Sequence, residues 1–205
     1  MRPGLLATLS AQVAAVSGAL CLLAGCASQV EVRDAIHDVN KEFQREYEAI
    51  IAERGIRTFP VRRGDAYVGL HATLGRLGMQ MRDQDPDLGT LNFESPAPRP
   101  LDSQEWSRAA AADLPKMREI ARRHVGMAAN FISFEPEGLL IVVNAAVLEA
   151  PSGSEISLTM RMREVAPPKS GMPRREYPPP TALRIGLDKI WAQLEQELRA
   201  ARKIP

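Results

Sequence analysis

Few side chains in this sequence are of a type and spacing that could do chemistry, and the clearest is a thiol. Cys26 follows Leu22-Leu23-Ala24-Gly25, and an apolar stretch from Leu5 to Leu23 precedes it, with Arg2 the one charge before Glu31. A basic tip, an apolar run and small residues at its end form a secretory signal. The thiol is a nucleophile directly after the point where such a signal is cut, behind Gly25. The other thiol, Cys21, leaves with the signal. The mature chain therefore has no disulfide and no cysteine catalysis, and its stability must come from an apolar core.

The remaining reactive side chains are dispersed. His37, His71 and His124 fall on three different expected helices, without the clustering that zinc sites show. His124 falls in a last helical turn, where a cation complements the dipole. Asp83, Asp85 and Asp87 alternate as in calcium loops, but Leu88 stands where such a loop needs Gly, so the run reads as a solvated turn. No strained nucleophile turn of the Gly-x-Ser-x-Gly kind occurs. Paired carboxylates need no fixed spacing, which leaves an envelope hydrolase as a third reading. The sequence points to no metal, no cofactor and no catalytic residue. Removal of Arg2 leaves 25 basic and 25 acidic residues, and aromatics make up 5% of the chain. That balance gives no footing for a nucleic-acid partner.

The best candidate contact surface is cationic. Arg161 and Arg163 share the polar face of an expected strand, and Arg174 and Arg175 follow in the next loop. Arginine suits carboxylate and phosphate groups and is enriched at interfaces. Tyr177 and the prolines around it would form an exposed, stiff recognition segment.

The elements that must position these groups are read from periodicity. Residues 29–54 form a helix, with Val32, Ile36, Val39, Phe43, Tyr47 and Ile50 on one face. A strand over 56–61, a helix over 65–77 capped by Asp65, strands over 79–82 and 90–93, and an extended linker over 95–100 follow. A helical insert spans 95–127: Asp102 and Glu105 cap a short helix, and Pro115 restarts a second one. Strands are expected at 131–134, 139–148 and 156–163, the last with alternating apolar and polar residues. The loop 167–180 leads to the helix 181–200, whose stripe is Leu183, Leu187, Ile190, Trp191, Leu194 and Leu198. The class is α+β. Residues 1–25 are the signal, 26–55 the lipidated N-terminus and helix, and 56–205 a single domain.

Two resemblances follow. Leu22-Leu23-Ala24-Gly25-Cys26 resembles the bacterial lipobox, which implies a diacylglycerol on the Cys26 thiol and an acyl chain on its freed amino group. The pairing of Ala27 and Ser28 after the cysteine, with no Asp there, implies by likeness to enterobacterial lipoproteins an outer-membrane anchor facing the periplasm. An uncleaved membrane helix over 5–23 is the competing reading. The order of elements resembles the helix-grip arrangement, a curved antiparallel sheet holding a long C-terminal helix. Phe59-Pro60-Val61, the segment Ala66 to Gly78, Asp83 to Gly89, Thr90 to Phe93, the 156–163 strand and the 181–200 helix carry it. It is similar to the domains of the BamC lipoproteins of the outer-membrane barrel-assembly machinery. The likeness is one of architecture; the function expected of the chain is that of a non-catalytic outer-membrane lipoprotein presenting a protein-interaction surface to envelope proteins, in cell-envelope assembly. The alternative is a module that encloses a lipid or other apolar molecule between sheet and helix.

Overall fold

The computed structural model of the protein describes residues 27–165 and 173–205. The expected signal, residues 1–25, and Cys26 therefore lie outside the described residues, as does most of the first half of the proline-rich loop. Four helices and five strands follow in chain order: α1 (Gln29–Arg54), β1 (Ile56–Phe59), α2 (Arg63–Arg76), β2 (Gln80–Asp85), β3 (Thr90–Pro96), α3 (Ser103–Val125), a 3-10 turn (Gly126–Phe131), β4 (Leu139–Ala150), β5 (Gly153–Glu164) and α4 (Pro180–Ala200).

The strands form one antiparallel sheet in the order β1-β5-β4-β3-β2. The near-continuous apolar run of β4 thus takes the middle position. Leu91, Phe93, Ile141, Val143, Val147, Ile156, Leu158 and Met160 point to one face and are almost fully buried. Period-two alternation places Asn92, Glu94, Asn144, Thr159, Arg161 and Arg163 on the other. Gly89 makes the β2–β3 turn at φ 75°, and a side chain there would meet the Val147 carbonyl at 2.3 Å. The protein is α+β, with an antiparallel sheet packed against a long C-terminal helix.

α4 lies at the centre of the core. Leu183, Leu187, Ile190, Trp191 and Leu194 are at 0% exposure. The Trp191 indole also donates to the Arg54 carbonyl at 2.8 Å, tying α4 to the end of α1. α1 shares this core through Val39, Phe43, Tyr47 and Ile50. The compact unit thus begins with α1, before residue 56.

Three expectations need correction. The strand expected at 131–134 is absent. Gly126, at φ 55°, ends α3 and turns the chain into the 3-10 turn. The Ile132 and Phe134 carbonyls then accept from side chains of α3, Arg118 at 2.9 Å and Trp106 at 3.3 Å, in place of a strand partner. Secondly, α3 runs unbroken through Pro115. The break costs one backbone bond, and the capping box of Asp102 and Glu105 together with packing on α1 and α4 hold the helix across it. Thirdly, Asp65 does not cap α2, which starts at Arg63; its carboxylate pairs with Lys203 at 2.9 Å.

α4 begins at Pro180 and has no side-chain cap of its own. Asp113 of α3 supplies one, accepting from the Thr181 N–H at 2.8 Å and its hydroxyl at 2.7 Å. Burial pushes the Asp113 carboxyl above its usual range, and the two Thr181 hydrogen bonds oppose that rise.

Candidate functional site: an apolar groove between α1 and α3

α1 and α3 run antiparallel. At one end Lys116 meets Glu42 at 2.7 Å and Glu46 at 2.5 Å; further along, His124 meets Asp38 at 2.9 Å. Near the His124–Asp38 pair the packing is through small residues of α1, α3 and the 3-10 turn. Ala35, Ala121 and Ala129 form a buried cluster of their own, apart from the main core. Alanines fill little volume, and a groove of about 470 Å³ remains beside them. That size falls within the roughly 300–1,000 Å³ of small-molecule sites.

One wall is the stripe Val32, Ile36, Val39 and Phe43 of α1, and the facing wall is Met117, Ala121 and Val125 of α3. The segment Ile132-Ser133-Phe134 closes one side, and Glu164, Pro173, Arg175 and Tyr177 close the far end. From Val32 to Phe43 the groove follows α1 for about 17 Å at 1.5 Å per residue. Ala27 lines it as well.

The two charged residues of the groove lining stand together at its far end. The Arg175 Nε lies 2.6 Å from one Glu164 oxygen, and its guanidinium stands 5.7 Å from the Phe134 ring centroid. The second Glu164 oxygen, Oε2, is buried and has no hydrogen-bond partner among the described residues. A buried carboxylate oxygen left unpaired is costly, and Glu164 is one of the two charged residues on the groove lining.

The expected cationic surface is divided by the structure. Arg163 pairs with Glu94 at 3.3 Å, and Glu94 also holds Arg82 at 3.0 Å, which makes a charge ladder across the outer face of the sheet. Arg161 stacks over Tyr47 at 5.4 Å and Tyr177 at 5.8 Å. Arg175 turns to the groove. Arg174 is exposed, and its carbonyl accepts from Asn40 at 2.8 Å. Tyr177 is half-buried against Tyr47, with centroids 5.3 Å apart, so it is not the exposed recognition residue expected. The reason is an open edge: β1 pairs only with residues 154–157 of β5. The segment around Tyr177 covers the rest, and the Glu176 carbonyl accepts from the Met162 N–H at 3.1 Å. Covering an exposed edge in this way prevents pairing with other chains.

The other reactive groups stay apart. His71 packs edge-on to Phe93 at 5.5 Å. Asp85 accepts from the Leu88 N–H at 2.9 Å and so stabilises the β2–β3 turn. Among the described residues no cluster of three or more His, Cys, Asp or Glu could hold a metal ion, and no helix is long and apolar enough to cross a membrane. No family model, curated protein or solved structure matches this chain.

The groove is what sequence reading missed. The α1 stripe was visible, but a stripe at helical spacing reads as core. The alanines opposite it, which leave the void, gave no signal of their own.

Proposed function

We propose that the protein is a non-catalytic lipoprotein, held by lipid on Cys26 to the periplasmic face of the outer membrane, and that it binds an elongated apolar ligand in the α1–α3 groove. The observation that carries this reading is the groove itself, a mostly apolar channel whose two charged residues, Glu164 and Arg175, stand together at one end. Such a division suits a ligand with a long hydrocarbon part and a small hydrogen-bonding head. Glu164 and Arg175 then orient the head, and Val32, Ile36, Val39 and Met117 hold the chain. This places ligand binding between helices, where the sequence had suggested the space between sheet and C-terminal helix. That space is filled by Trp191 and the leucines of α4. The likeness to envelope-assembly lipoproteins supports the same compartment and adds envelope proteins as partners, with Arg174 and the Arg163 ladder on the accessible surface.

Native mass spectrometry of the protein released gently from envelopes tests the reading. A retained molecule of defined mass, displaced by a fluorescent fatty acid, is the expected result. Ile36→Trp should block the groove and lower the affinity for that probe while leaving the fold in place. A bare chain that takes up no apolar probe would overturn it and leave the surface-interaction reading.

A further inference from the structure

The end of the molecule that carries Ala27 has a second unusual feature. Antiparallel packing brings the start of α1 next to the end of α3 and the 3-10 turn, as Ala27, Val32, Val125 and Ala128 on one groove lining show. On that turn Met127 is 82% exposed and Phe131 is 89% exposed. No other large apolar side chain among the described residues is more than 67% exposed, and two such side chains on one short turn suit a contact site. Arg122 and Arg123, both exposed, precede the turn in the last turn of α3, and guanidinium groups suit phosphate. The chain leaving Ala27 leads at once to Cys26.

We infer that this tip is a membrane-docking surface: Met127 and Phe131 enter the phospholipid layer beside the lipid anchor, Arg122 and Arg123 meet its phosphates, and the groove opens onto the bilayer. The partner is the phospholipid bilayer surface itself. Amphipathic surfaces bind there by burying apolar side chains at the headgroup–acyl boundary with cations alongside. The inference rests on the anchored, groove-binding reading and adds an orientation to it. The groove then receives its ligand from the membrane without passage through water.

The test uses the full, acylated chain reconstituted in phospholipid vesicles, with and without brominated acyl chains. The native tryptophans, Trp106 and Trp191, are buried at 2% and 0% exposure, so the parent protein supplies a constant background. Phe131→Trp adds a reporter at the tip, and Met127→Trp repeats it at a second position. Leu88→Trp, in the exposed β2–β3 turn, reports from the sheet. The expected result is that all variants float with the vesicles, while the two tip reporters alone show a blue shift, shielding from iodide and quenching by bromine. Flotation without tip quenching overturns the inference and leaves the anchor standing. Equal quenching of Leu88→Trp overturns it too. Failure to float removes the anchor and the inference together. Uptake of the fatty-acid probe, measured on the same samples, reports separately on the groove.

Discussion

α4 and the α1–α3 seam are both built on apolar stripes at helical spacing, and they end in different states. The α4 stripe is met closely along its length. Trp191 packs 6.1 Å from Phe59, centroid to centroid, and Leu194 and Leu198 close on Gly69. The stripe of α1 starts the same way, with Phe43, Tyr47 and Ile50 in the main core. Towards its N-terminus it meets Ala121 and Ala129, and the space stays open. Charge does not separate them: ion pairs rim both, with Lys116 on Glu42 and Glu46 and His124 on Asp38 at the seam, and with Arg54 on Asp188, Arg76 on Glu197 and Lys189 on Glu105 along α4. Apolar spacing makes a helix face something; the volume opposite decides whether that face becomes core or cavity.

The largest effect is expected where the stripe is closed. Trp191→Ala removes a side chain at 0% exposure and its hydrogen bond to the Arg54 carbonyl. A loss of about 3–5 kcal/mol is typical for such a change. Denaturant unfolding should show it, and a loss under about 1 kcal/mol would mean that the α4 core is far more plastic than its packing indicates.

The seam is then probed by filling it. Ala121→Leu adds volume at 1% exposure, between α1 and α3. Overpacking of this kind costs about 1–3 kcal/mol. If the seam is a pre-formed groove, part of the new side chain enters the void and the cost falls at the low end of that range, while probe binding is lost. A full cost with binding intact would place the ligand elsewhere.

Much of this division could not be read along the chain. The α4 helix, the middle place of β4, the alternation of β5 and the α1 face all follow from periodicity, because each depends on residues near one another in sequence. The Asp113 cap on Thr181 joins residues 68 apart, and the covering of the β5 edge by Tyr177 depends on β1 being only four residues long. The pairing of Glu164 with Arg175 was within reach, since they flank one loop, but nothing local says that the guanidinium turns inward. The strand expected at 131–134 failed for a similar reason. Its apolar residues were right for a strand, but Arg118 and Trp106 took its carbonyls.

Acid should loosen the seam before the core. The His124 hydrogen bond holds the Asp38 carboxyl below its usual range, and the Lys116 hydrogen bond does the same for Glu42. A carboxylate with a lowered folded value contributes stability that is present above its unfolded value and is lost as pH falls through the folded one. Asp113 has the opposite sign. Burial raises its folded value, so its protonation relieves a desolvation cost as pH falls. Between pH 5 and 3, therefore, hydrogen exchange should rise first in α1 and the C-terminal half of α3, with the Thr181 end of α4 protected longest. Uniform exchange across both regions would remove the distinction between core and seam.

The smallest effect is expected on the outer face of the sheet. Glu94 holds Arg82 and Arg163 there, and both arginines are more than half exposed at the side chain, at 59% and 57%. Exposed pairs contribute about 0–1 kcal/mol because solvent screens them and two long side chains must be ordered. Glu94→Gln keeps the shape and one acceptor, so unfolding should shift by about 0.5 kcal/mol or less in moderate salt. The value of this variant lies in what it frees. If the sheet face is a docking surface for envelope proteins, two unpaired guanidinium groups should strengthen binding to acidic partners in crosslinking of intact envelopes, whereas probe uptake by the groove stays unchanged. A loss of groove binding in Glu94→Gln would show that the sheet face and the seam act as one unit, against everything in their separate packing.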